Sequence, residues 1–242
     1  MTDSEKNRLD DIAADPKYAE GPNEYMVDYS FRVFQRHMKI GPTLEMGPAE
    51  GIMTKCLVDA GYDLTVLEGS ARFCKTLRQR HPQIEVIESL FENYAPKNKF
   101  SNIILGHVLE HVSDPVDILI KARNWLAEDG RIFAAVPNSR SVHRQAGVLL
   151  GQLPKENALN DADRMHGHRR VYNPEDFRSD FHSAGLRIDI FGGYWLKPLS
   201  NTQISEYWTR EMIYAFMQLG ERYPDIAAEI YIIAGNHQGA SD

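Results

Sequence analysis

Between residues 43 and 137 the chain alternates between short β-branched runs and stretches of helical length, with little left over for anything else. Thr43–Met46 reads as a strand, and residues 50–60 as a helix stopped by Gly61. A second run over 63–67 ends at Glu68, and Ala71–Arg80 follows as a helix that Pro82 closes. Residues 84–87 form a third strand and 102–105 a fourth. A helix over 115–127, capped by Ser113 or Asp114, leads through Asp129-Gly130 into a fifth strand at 131–136. Strands separated by helices imply βαβ units, and therefore a mostly parallel sheet with helices on both faces.

The regularity stops on either side. Upstream, residues 23–37 carry Tyr25, Met26, Tyr29, Val33 and Phe34 at helical spacing. Downstream, residues 138–170 are rich in His, Arg, Asn and Asp and have no clean period. An irregular stretch that long inside a compact domain suggests a lid or binding segment. The alternation then resumes with a helix over 174–184 and a strand over 186–191. A helical stretch over 203–223 and a last strand over 228–234 complete it. At 242 residues, one domain with additions is expected. It divides into a helical cover over 1–40, a ligand-binding core over 41–137, and substrate-side insertions over 138–170 and 196–225.

Bulk composition narrows the function classes. A formal charge of −7 and a pI near 5.7 oppose whole-chain electrostatic attraction to nucleic acid or anionic membrane. The two cysteines, Cys56 and Cys74, form no CxxC pair and read as reduced thiols. No apolar run approaches the roughly 18 residues of a membrane span, and the opening residues are acidic and polar. The expectation is a soluble, cytoplasmic protein.

The exit of the first strand, TLEMGPAEG, carries the chemistry. Ligands of an open parallel sheet sit beyond the C-terminal strand ends, near a switch point in strand order. Gly47 and Gly51 let a ligand approach the main chain there. A dinucleotide wants G-x-G-x-x-G with its pyrophosphate on the helix N-terminus. This stretch lacks that third spacing and places Glu45 and Glu50 where the phosphates would lie. Two acids suit a ligand with positive charge and hydrogen-bond donors. Glu68, followed by Gly69, ends the second strand where a carboxylate can accept from both ribose hydroxyls. Leu90 and Phe91 follow the third strand and can clamp a flat base. Gly106 and His107 follow the fourth, beside the amino-acid end of such a ligand.

E-x-G-x-A-x-G after strand one, an acid after strand two and IILGHVLEHVSDP after strand four together resemble a class I S-adenosylmethionine-dependent methyltransferase. The L-E-H-V-x-D-P run over 109–115 is similar to members that modify small molecules. The resemblance implies a Rossmann-like α/β fold with a seven-stranded, mostly parallel sheet. It also implies S-adenosylmethionine as cofactor, S-adenosylhomocysteine as product, and Glu45, Gly47, Gly51, Glu68, Gly69, Leu90, Phe91, Gly106 and His107 as the cofactor site. The implied reaction is methyl transfer to an oxygen or nitrogen of a small molecule, such as a sugar or anionic metabolite. An NAD(P)-dependent oxidoreductase and a non-catalytic cofactor-binding protein on the same fold are the alternatives. Tyr25 and Tyr29 are candidates to close over the cofactor.

The run DADRMHGHRR, over 161–170, admits several readings. Asp161, Asp163, His166 and His168 are potential metal ligands, but their spacing fits no established site and the expectation is no metal. His166 or His168 suits a general base, because a histidine titrates near working pH. Arg169 and Arg170, with Arg140 and Arg144, suit an anionic substrate.

Overall fold

The computed structural model describes residues 8–10 and 21–237. Seven strands form one sheet in the order β3-β2-β1-β4-β5-β7-β6. They are β1 (Thr43–Met46), β2 (Leu64–Glu68), β3 (Glu85–Glu88), β4 (Phe100–Gly106), β5 (Leu126–Pro137), β6 (Leu186–Tyr194) and β7 (Glu229–Asn236). The first five pair in parallel, and β7 runs antiparallel to both β5 and β6. Strand order reverses between β1 and β4, so the crevice at their C-terminal ends is the switch point.

Nine α-helices are described: α1 (Pro22–Gln35), α2 (Ile52–Asp59), α3 (Ala71–Arg80), α4 (Pro115–Trp125), α5 (Val142–Leu149), α6 (Asp161–Met165), α7 (Pro174–Ser183), α8 (Asn201–Tyr207) and α9 (Arg210–Gly220). Side chains alternate across each strand, and the two faces bury separate cores. Leu44, Met46, Ile103, Leu105, Ile132 and Ala134 face Ile118 and Leu119 of α4 and Phe177 and Phe181 of α7. Val66, Ile104, Phe133 and Ala135 face Phe34 of α1, Leu57 of α2 and Met217 of α9. Glu45 lies between Leu44 and Met46, so the alternation turns it toward the second core. None of the described helices is long and apolar enough to cross a membrane.

Side-chain caps set several helix starts. Asp114 accepts from the Asp117 N–H at 3.0 Å, with Pro115 in the first turn, and Asn173 accepts from Asp176 at 2.7 Å ahead of Pro174. Three segments depart from the periodicity. The stretch over 203–223 is two helices, because Trp208 is extended and Thr209 starts α9 by accepting from Met212 N. The helix over 115–127 ends at Trp125, because Leu126 already pairs with Phe100 in the sheet. The insertion over 138–170 contains α5 and α6; α6 opens with a reciprocal capping box between Asn160 and Asp163.

Candidate functional site

A cavity of about 690 Å³ opens at the C-terminal ends of β1, β2 and β4. Its floor is the β1–α2 turn. Gly47 there has φ +65°, and a Cβ on it would lie 3.2 Å from Val108 and 3.3 Å from the Phe91 ring. Only glycine leaves that approach open. Ala49, at φ +48°, is also left-handed. Its strained N–H is held by Glu68, whose Oε2 accepts from it at 3.3 Å while Oε1 accepts from Ser70 N at 2.8 Å. Burial pushes the Glu68 carboxyl up to about 7. Glu45 accepts from the Thr54 hydroxyl at 2.7 Å, and burial pushes it up to about 8. Both acids line the cavity, so a cationic ligand there would face two carboxylates primed to ionise.

Of the residues expected to hold a ligand, Glu45, Gly47, Glu68, Gly69, Leu90, Phe91, Gly106 and His107 line this cavity. Gly51 does not. It starts α2 at φ +84°, its N–H donates to Pro48 O at 2.9 Å, and a Cβ there would meet Leu77 at 2.7 Å. Gly51 therefore serves the turn and the α2–α3 packing. The α1 cover reaches the cavity through Met26, Val27 and Ser30, not through its tyrosines. Tyr25 packs on Tyr214, and the Tyr29 hydroxyl donates to Glu221, which also pairs with Arg36 at 2.6 Å. Arg8 and Leu9 also line the cavity, and Asp10 accepts from the Ser70 hydroxyl at 2.7 Å. The rest of the segment before residue 21 lies outside the described residues.

At the other end of the cavity titratable groups are buried together. His107, at φ +59°, extends the β4 ladder by donating its N–H to Ala135 O at 2.9 Å. Its Nδ1 stands 3.4 Å from Glu110 and 3.9 Å from Glu229. Burial alone would lower the His107 imidazole, but the two carboxylates outweigh it and the net shift is upward. His111 lines the cavity, and burial pushes it down to about 4.

The two histidines expected to act on a substrate have different surroundings. His166 lines the cavity, and burial lowers it. His168 is set behind the wall, edge-on to His111 with ring centroids 4.8 Å apart, and its Nδ1 lies 3.4 Å from Asp163. Asp161 is exposed at the start of α6, away from this group. Arg144 and Arg140 are not the anion contacts their composition suggested. Arg144 is buried against Asp163 at 3.1 Å, and Arg140 pairs with Glu175 at 2.8 Å.

Arg169 and Arg170 belong to a second, cation-lined cavity of about 500 Å³ with Lys155 and Arg164, faced by Asp176. Arg169 lines both cavities. The sequence reading missed the buried Glu110, Lys197 and Glu229. Glu110 stood in plain view inside L-E-H-V. Glu229 begins a strand instead of ending one, and only the antiparallel course of β7 brings it to this end of the sheet.

The model of a methyltransferase domain matches residues 18–189. A ubiquinone biosynthesis O-methyltransferase of Haemophilus ducreyi is 24% identical over 173 residues, covering 65% of this chain and 70% of that protein. The ribosomal RNA small subunit methyltransferase A of Chlorobaculum tepidum is 28% identical over 160 residues, covering 60% of this chain and 54% of its own length. Among solved structures, the N-methyltransferase NodS from Bradyrhizobium japonicum, in complex with S-adenosyl-L-homocysteine, superposes with a TM-score of 0.63 at 13% identity. That match covers 96% of this chain and 97% of NodS.

Proposed function

Since the chain belongs to the methyltransferase-domain family, we propose that it transfers a methyl group from S-adenosylmethionine to an oxygen or nitrogen of a small acceptor bearing an anionic group. The residues present fit that cofactor. Two buried carboxylates, Glu45 and Glu68, face the cavity, Gly47 leaves room at the backbone, and Leu90 and Phe91 supply an apolar wall. Glu68 would hold the ribose, and its two bonds to loop N–H groups fix the carboxylate for that task. Glu45 would face the cationic end. When bound, S-adenosylmethionine supplies a methyl group already activated by its sulfonium.

The chain's own work is then positioning, exclusion of water and removal of a proton. We assign the proton to His166, the member of the expected pair that lines the cavity. Its lowered basicity keeps the imidazole neutral near pH 7, ready to accept. His168 touches the cavity wall through its ring contacts with His111 and His166 and positions them. The acceptor side comprises the 138–170 and 196–225 insertions, and the cofactor side comprises 41–137 under the helical cover.

The observation that carries the acceptor class is the place of Arg169, in the wall between the cofactor cavity and the cavity lined by Lys155, Arg164 and Arg170. Guanidinium groups in that number favour a carboxylate or phosphate. A whole-chain charge of −7 opposes a long polyanion such as RNA. Calorimetry with S-adenosylhomocysteine and with NAD separates cofactor classes first. Methyl transfer from a labelled donor is then measured on matched neutral and anionic small acceptors and on a ribosomal RNA fragment. Preference for the anionic small acceptors, weakened in KM by Arg164→Gln with unchanged S-adenosylhomocysteine affinity, supports the reading. Preference for RNA or for neutral acceptors overturns it.

A further inference from the structure

The turn after β4 and the loop after α6 are laced together by hydrogen bonds. Arg169 N donates to Glu110 O at 2.8 Å, and Arg169 Nε to His111 O at 2.8 Å. Arg170 donates to Leu109 O at 2.8 Å, Val112 O at 2.6 Å and Ser113 O at 3.0 Å. Inside this lacing, one ligand atom each from Glu110, His111 and His168 lie within 4.8 Å of one another.

We propose that Glu110, His111 and His168 form a binding site for one divalent first-row transition ion, for which zinc is the natural probe. One carboxylate and two imidazoles make a donor set that suits such ions and leaves a coordination position open.

Three observations support it beyond the grouping. Glu110 is completely buried, and neither of its carboxylate oxygens makes a hydrogen bond among the described residues. Among the described residues its nearest ion-pair partner is His107 Nδ1 at 3.4 Å, which Glu110 shares with Glu229 at 3.9 Å, so two buried carboxylates divide one imidazole and Glu110 keeps capacity for a further cation. Each imidazole has an acceptor of the protein beside it, the arrangement found around metal-bound histidines. The Gly167 carbonyl accepts from His111, and Asp163 stands 3.4 Å from His168 Nδ1. Asp163 is fixed in turn by Arg144 at 3.1 Å and Asn160 N at 2.9 Å. Finally, His111 lines the cofactor cavity, which places the open position toward that cavity. Two atoms bound to one tetrahedral zinc ion are about 3.4 Å apart, so the widest pair of ligand atoms draws in by roughly an ångström or more when the ion enters.

This set shares only His168 with the four residues that the DADRMHGHRR run offers. It is also independent of the acceptor reading, because ion binding is measured without turnover. The full-length, tag-free protein is stripped with chelator, dialysed, and titrated with zinc by calorimetry and with cobalt by absorption spectroscopy. The expected result is one ion per chain and visible cobalt bands of a low-coordinate nitrogen–oxygen site. Glu110→Gln and His168→Asn should each weaken zinc at least tenfold, whereas Asp161→Asn leaves it unchanged. Far-ultraviolet dichroism and S-adenosylhomocysteine affinity establish that the variants are folded. A wild-type protein that binds no stoichiometric zinc overturns the proposal. So does a cobalt spectrum of an octahedral aquo ion, or zinc affinity that survives both ligand substitutions.

Discussion

The two ends of the cavity are built on opposite plans. Where β1 and β2 end, each acid is satisfied locally by neutral donors: Glu45 by Thr54, Glu68 by Ala49 and Ser70. Where β4, β5 and β7 meet the insertions, Glu110, Glu229 and Asp163 are buried with His107, Lys197 and Arg144. The first plan leaves the acids with capacity for a ligand and makes little demand on the rest of the fold. The second ties the site to distant segments, so substitutions there disturb chemistry and stability as well as binding.

Substitutions should separate the two ends, and the largest effect belongs to His166. His166→Ala should cut kcat by ~10²–10⁴ while S-adenosylhomocysteine affinity by calorimetry stays within about twofold, since the base acts in turnover alone. A parallel loss of affinity would erase the distinction between the ends. Next comes Arg144→Ala, which strands a buried Asp163 carboxylate and two carbonyls, Glu156 O and Ala158 O. Stability in urea should fall by about 3–5 kcal/mol. The exposed Arg36–Glu221 pair serves as contrast, with Arg36→Met costing no more than about 1 kcal/mol.

Glu68→Ala tests the other end. It removes a charged acceptor whose hydrogen bonds are worth ~1.5–3 kcal/mol each, so cofactor affinity should drop at least tenfold. Unchanged affinity in a folded protein would take the ribose away from Glu68.

The last test is a pH slope. Burial raises Glu45 to about 8 and Glu68 to about 7. Near pH 6 they are therefore largely protonated, and a cationic ligand favours their ionised forms. Binding should release protons, and S-adenosylmethionine affinity should rise from pH 6 to pH 8, by about tenfold or more where the ligand takes only the ionised forms. Calorimetry in buffers of different ionisation enthalpy reads the protons directly, and Glu45→Gln should flatten the slope. A flat wild-type profile would mean that Glu45 does not face the cation.

Local pattern alone determined the α/β class and β1 and α3 to the residue, and most of the site residues it picked out line the cavity at the ends of β1, β2 and β4. Strand alternation, helix caps and the acid after each of the first two strands are properties of neighbours in the chain. The same local reasoning read Gly51 only as room for a ligand and did not see Leu77 on the next helix, which a Cβ there would meet at 2.7 Å. It ran α8 and α9 together, because an amphipathic period does not report one extended residue at Trp208. The other end of the cavity was decided by tertiary structure. Glu229 arrives there because β7 runs against its neighbours, and Glu110 meets His168 because Arg169 and Arg170 bind the β4 turn to the α6 loop. A buried carboxylate needs partners from wherever the chain can bring them, and which segments supply them is a matter of how the sheet is wound.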